Sequence, residues 1–154
     1  MLIARLDADG PMRERPVVYS ADAGGVSLAQ HEYDFWIEPP ARLLQSELVR
    51  YLRSSGVAQS VVTPELRLPS QYEVVGTIRR FERLIGRSSS RVAVTIELAL
   101  VDRSGDRPRI VKTYATEIAC PDDTVDGSVT AFNEAISAIF AEFLQDIRSS
   151  AATA

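Results

Sequence analysis

RVAVTIELALVD, residues 91–102, alternates along its length: Val92, Val94, Ile96, Leu98 and Leu100 fall on one side of an extended chain, and Ala93, Thr95, Glu97 and Ala99 on the other. A period of two marks a strand with one buried face and one partly wet face. Residues 72–85 and 108–120 read as extended runs on either side of it, joined by turns at residues 86–90 and 103–107, the second tipped by Ser104, Gly105 and Asp106. Turn-forming residues at those places make the centre of the chain a β-meander. Its strands exceed the usual five or six residues, so the hairpins are expected to project and to offer contact surfaces.

After the meander, Asp122 or Asp123 stands where a helix cap is wanted. Val125, Val129, Phe132, Ile136, Ile139, Phe140, Phe143 and Ile147 then recur on one helical face for about six turns. The last residues, 149–154, are small and polar and are expected to fray as a flexible tail.

Before the meander the informative stretch is VSLAQHEYDFWIEPPARLLQSELVRYL, residues 26–52. Residues 26–37 read as an extended run that carries the only histidine, His31, and the only tryptophan, Trp36. It stops at Pro39 and Pro40, and Pro40 suits the first turn of a helix because its missing N–H is not needed there. Leu43, Leu44, Leu48, Tyr51 and Leu52 then form one apolar stripe over residues 40–54, with Gly56 placed to end the helix. Shorter extended pieces are expected at residues 2–6, 15–20 and 59–63, a tight turn at residues 23–25, and a loop with two prolines at 64–70. The order β-β-β-α-β-β-β-β-α predicts an α+β fold: a mostly antiparallel sheet with two helices packed on one face, a two-layer sandwich. One domain is expected over residues 1–148.

Composition narrows the function. The formal charge of −4 over 154 residues argues against nucleic acid, which needs a basic face. Cys120 is the only cysteine, so a disulfide within the chain and a cysteine-based metal site are excluded. A single histidine is a poor metal site, and Glu32 and Asp34 point to the strand face opposite His31. Asp122, Asp123 and Asp126 lack the twelve-residue pattern of a calcium loop, and Gly24-Gly25 lacks the residues of a phosphate loop. No serine sits in a nucleophile elbow. We therefore expect no catalytic residues, no metal and no cofactor, and read the chain as a binding or assembly protein.

Two groups of residues fit that role. Tyr33 and Phe35 share one strand face while Trp36 lies on the other, and a strand aromatic on both faces is buried either by its own fold or by a partner. Trp36 serves either as an anchor in the core or as a docking residue; Trp36, Pro39 and Pro40 form the structural junction. Arg79, Arg80, Arg83, Arg87 and Arg91 cluster around the first hairpin. They fit either an anionic partner or a hairpin protected by charge against edge pairing. Tyr33, Phe35, Trp36, Arg80 and Arg83 are the candidate interface residues, and self-association into a homo-oligomer is expected.

RERPVVYS (13–20), the run through Trp36, Glu38 and Pro39, and the helix with Leu43-Leu44 resemble, in that order, the ABC-type transport auxiliary lipoproteins of the PqiC/YmbA type. Tyr72-Glu73-Val74 leading to Arg80-Phe81-Glu82, and Ala131-Phe132-Asn133 in the final helix, extend the similarity over residues 1–147. The resemblance implies a non-enzymatic, periplasmic (lipo)protein of a Gram-negative bacterium. It would work beside an MCE-domain protein and an ABC permease that move lipids or other hydrophobic molecules between the inner and outer membranes. It also implies an outer-membrane lipid anchor on a cysteine at the mature N-terminus, whereas the one cysteine of this sequence is Cys120. The alternative is a small-ligand module with an apolar pocket for a lipid between helices and sheet.

Overall fold

The alternating stretch becomes the central strand of the molecule. The computed structural model describes residues 1–20, 28–36, 38–86, 89–105 and 107–152, with the side chains of His31, Tyr33, Phe35 and Ala152 outside that description. The elements are β1 (Leu2–Ile3), β2 (Asp7–Ala8), β3 (Pro16–Ser20), β4 (Ala29–Phe35), α1 (Pro40–Ser54), β5 (Tyr72–Ile85), β6 (Ser90–Asp102), β7 (Arg107–Ala119) and α2 (Val125–Ala152), with single 3-10 turns at Gly10–Arg13 and Pro64–Leu66. The sheet runs β4-β3-β5-β6-β7, and β1 and β2 also pair with β5. Both helices pack on one face, so the architecture is the expected α+β sandwich. Residues 21–27, Ile37, Arg87, Ser88, Asp106, Thr153 and Ala154 lie outside the described residues, and with them the expected turn at residues 23–25 and the tip of the first long hairpin.

The meander is antiparallel, but the sheet as a whole is mixed. Three short strands, β1, β2 and β3, run parallel to β5 one after another along its other edge. The first expected strand is split: β1 and β2 are separate, and Ala4 N–H donates to the carbonyl of Val74 at 2.9 Å between them. The strand expected at residues 59–63 is a single parallel bridge between Leu2 and Val62. Pro64 opens a 3-10 turn directly afterwards; having no N–H to donate, it cannot extend the ladder.

In β5 the register slips by one residue. Ile78 faces Ile96 and Arg80 faces Thr95, which leaves Arg79 as the extra residue of a bulge. Val74 and Ile78 point into the core before the bulge, Phe81 after it. Without the slip, Arg80 and Glu82 would take the inward positions. Gly76 sits between Val74 and Ile78 because space is lacking: a Cβ there would lie 2.6 Å from the Glu97 carbonyl oxygen and 2.7 Å from Leu98 Cδ2.

α1 spans the residues its pattern predicts, with Pro40 at its first position and Gly56 at φ +64° just past its end. Leu44, Leu48, Val49 and Leu52 are buried, and Gln45 Nε2 ties the helix to β1 by donating to the carbonyl of Ile3 at 3.1 Å. The cap of α2 falls on Thr124, whose hydroxyl accepts from Gly127 N–H at 3.0 Å. Asp122 acts one step back, its carboxylate accepting from the Thr124 hydroxyl and from Thr124 N–H at 2.8 Å, and these two bonds hold its pKa below the usual carboxylate range. Buried Ser128, Ala131 and Ala135 share the inner face with Phe132, Ile139 and Phe143. Small residues at that spacing let the helix lie close on β6 and β7. α2 continues through Ser149, whose hydroxyl donates to the carbonyl of Gln145 at 3.0 Å.

Candidate interaction surface

Trp36 lies where β4 hands over to α1. Its backbone N–H donates to the carbonyl of Arg15 at 2.8 Å, and Arg15 Nε donates back to the carbonyl of Trp36 at 3.1 Å. Its half-buried indole meets Phe81 of β5 and Phe132 of α2, each with ring centroids at 5.4 Å. Phe81 and Phe132 stack at 4.4 Å. Aromatic pairs in such geometries contribute about 0.5–1.5 kcal/mol each beyond the area they bury. The cluster joins the edge of the sheet to the last helix, with Trp36 partly open to solvent.

On the face away from the helices the register aligns side chains in rows. Val75, Ala99 and Val111 make one, Thr77, Glu97 and Thr113 the next, then Arg80, Thr95 and Ala115, then Glu82, Ala93 and Glu117. Val111 is 65% exposed. The arginines here are paired among the described residues. Arg79 bridges Asp9 at 2.9 Å and Glu97 at 3.3 Å, and these carboxylates raise its pKa. Arg80 bonds Glu82 and reaches Glu117 at 3.3 Å, and Arg91 meets the same Glu117 at 3.4 Å. Glu82 is 1% exposed and its Oε2 has no hydrogen-bond partner among the described residues. Ala93 and Glu82 are buried, whereas Val111, Thr113, Ala115 and Glu117 of β7 are exposed, and such polar and apolar side chains side by side suit contact with another protein surface.

The structure separates the two candidate arginines. Arg80 is on the open face. Arg83, after the bulge, points inward at 6% exposure, donating to Ser90 Oγ at 3.3 Å and to the carbonyl of Asp123; it secures the loop that starts α2. Pro39 and Pro40 begin α1 beside Trp36. Tyr33 and Phe35 have backbones in β4, at the edge of the sheet, and side chains outside the described residues. Cys120 is half-buried, with its thiol 3.6 Å from Ser128 Oγ. Among the described residues no group of three or more His, Cys, Asp or Glu could hold a metal ion, and no helix is long and apolar enough to cross a membrane. Sequence reading missed the row of Val75, Ala99 and Val111. The available signal was small residues outward of the buried alternation.

These features define an open-faced α+β domain with an edge strand at either side of its sheet. The sequence model for the ABC-type transport auxiliary lipoprotein component matches residues 4–143, and the chain belongs to that family. It is thus a member of a bacterial envelope lipoprotein family that serves ABC-type transport. No curated protein matches the sequence. Among solved structures, a protein from Xanthomonas campestris superimposes with a TM-score of 0.82 at 19% identity, covering 93% of this chain and 80% of that one. A hypothetical protein from Chlamydia trachomatis gives 0.56 at 10% identity, over 95% and 96% of the two chains. PelC from Paraburkholderia phytofirmans, a dodecamer, gives 0.55 at 12% identity, over 95% and 84%. At such identities the likeness is one of fold.

Proposed function

We propose that the chain is a non-enzymatic periplasmic subunit of an ABC/MCE-type envelope transport system, held at the outer membrane by a lipid. In this reading it assembles as a homo-oligomer beside an MCE-domain protein and its ABC permease, on a route for lipids or other hydrophobic molecules between the two membranes. One observation carries the assembly: the sheet ends in two edge strands, β4 and β7, on opposite sides. Pairing β4 of one copy with β7 of the next is a head-to-tail contact, and such contacts close into rings when the rotation allows. PelC has a similar fold and is a dodecamer, which supports the reading of this chain as a homo-oligomer. Tyr33, Phe35 and Trp36 by β4, and Arg80 on the open face, are the proposed contact residues; Arg83 acts from inside.

Size-exclusion chromatography with light scattering tests this reading. We expect a discrete oligomer that the double variant Val111→Lys, Ala115→Lys reduces to monomer without lowering the melting temperature. A wild-type protein that stays monomeric at high concentration, or an MCE-domain protein that fails to co-purify with an intact oligomer, overturns it.

A further inference from the structure

At the end of the sheet away from the first long hairpin, the start of β5, the end of β6 and the start of β7 meet the last turn of α2 and the segment after α1. They enclose a cleft of about 440 Å³, within the range of small-ligand sites. Leu100 and Ile147, both nearly buried, and Val57 give it an apolar side. Tyr72, Ser70 and Arg109 line it with polar groups, and Arg109 is the only ionised side chain in the lining. The guanidinium is held in place: its Cζ lies 5.9 Å from the centroid of the Tyr72 ring, and one nitrogen donates to Asp102 Oδ2 at 3.2 Å. Asp102 is itself fixed, its Oδ1 accepting from the N–H and hydroxyl of Ser104 at 3.0 and 2.6 Å. A guanidinium carries five N–H groups, so donors remain for an anion beyond the one given to Asp102. Next to the lining residues Pro69 and Ser70, the loop presents Leu66 and Leu68 at 54% and 55% exposure, with Arg67 between them at φ +51°.

We infer that this cleft is a binding site for a single-chain amphiphile with an anionic head: the head on Arg109, the chain along Leu100, Ile147 and Val57, and Leu66 and Leu68 an apolar approach to its mouth. An anionic head can accept from the guanidinium donors that Asp102 does not use, and a fully polar anion would leave the apolar side wet. The site goes beyond the assembly proposed above and does not depend on it.

Calorimetric titration of the full chain with laurate, lysophosphatidic acid and dodecanol, each below its micelle or solubility limit, tests the assignment. Laurate and lysophosphatidate are expected to bind at one saturable site per chain, and the tighter of the two identifies the head as carboxylate or phosphate. Arg109→Gln is expected to weaken both anions about tenfold or more and to change dodecanol less than twofold. Arg109→Lys, which keeps the charge, recovers part of the loss. Ala58→Trp, at the wall of the cleft, is expected to block all three ligands and keeps the test decisive if the Arg109 variants do not fold. Absence of saturable anion binding by the wild type overturns the site. So does equal binding by folded Arg109→Gln, or tighter binding of a short peptide ending in a leucine carboxylate. The oligomer mass is read separately, so a monomer that binds laurate refutes the ring alone, and an empty oligomer refutes the site alone.

Discussion

The rings of Trp36 and Phe132 meet edge to face at 5.4 Å with 79° between their planes. One follows the edge strand and the other sits on the last helix, so this contact closes the fold across its two layers. Phe132 is 2% exposed. Phe132→Ala is expected to destabilise the protein by about 3–5 kcal/mol in urea unfolding, the range for large-to-small aromatic changes in cores. Trp36 is the only tryptophan, so its emission reports the same contact: it should shift to the red in the folded variant. An unchanged spectrum would place the indole elsewhere.

Arg79 separates charge from register. Its ion pairs with Asp9 and Glu97 are half-exposed, so Arg79→Ala is expected to lower the melting temperature by only a few degrees. Deleting Arg79 removes the extra residue of the bulge and leaves a regular ladder, in which Ile78 still faces Ile96, Arg80 still faces Thr95 and Phe81 stays inward. That variant is expected to fold and to melt within a few degrees of Arg79→Ala, whereas Arg79→Ala keeps the bulge and loses only the ion pairs. A deletion variant that fails to fold while Arg79→Ala folds would show that the bulge itself, and not only the facing it preserves, is needed.

Gly76→Ala is expected to cost about 1–3 kcal/mol through overpacking, because the new methyl would lie 2.6 Å from the Glu97 carbonyl oxygen. Gly105→Ala is the control, since nothing lies within 4 Å of a Cβ there. Its effect is expected within about 0.5 kcal/mol. Urea midpoints of the two variants settle the comparison.

Tyr114, Lys112 and Asp146 make stability depend on pH. Tyr114 Oη donates to Asp146 Oδ2 at 2.7 Å, and Lys112 Nζ lies 2.9 Å from Asp146 and from Glu142. Lys112 and Tyr114 lower the Asp146 pKa by hydrogen bonding, while burial, then the bond to Asp146, raises that of Tyr114. The unfolded chain therefore binds the Asp146 proton more tightly than the native one. The stabilisation is full above the ordinary aspartate pKa of 3.8 and is lost as pH falls through the lower native value. For Tyr114 the native state holds the proton more tightly, so stability is lost as pH rises above 10 toward the raised native value. Between pH 5 and pH 3 the melting temperature should fall more for the wild type than for Asp146→Asn. Tyr114→Phe should flatten the alkaline limb. Parallel curves would exclude this tie as a source of the pH dependence.

The candidate site was legible only in outline. That the aromatic run ended at a helix start could be read from Trp36, Pro39 and Pro40, because proline acts locally on the backbone. Whether an arginine faced solvent could not. Arg80 and Arg83 look alike in the sequence, yet one lies on the open face and the other at 6% exposure under the start of α2. The cleft beside Arg109 was not legible at all. Its lining comes from segments far apart in the chain, and none of its residues carries a motif.

By itself the sequence determined what depends on short-range periodicity: the bounds of α1, the three long strands of the meander, the inward face of β6 and the class of the fold. Spacings of two and of three to four residues are properties of one strand or one helix, and burial simply follows them. The tertiary structure alone decided how the N-terminal segments join the sheet, parallel to β5 in three short pieces. It also decided that the ladder slips at Arg79 and that Asp122 serves Thr124, not the helix directly. Those outcomes rest on pairing between distant residues, where two-residue strands carry no pattern of their own and a neighbouring long strand sets their direction.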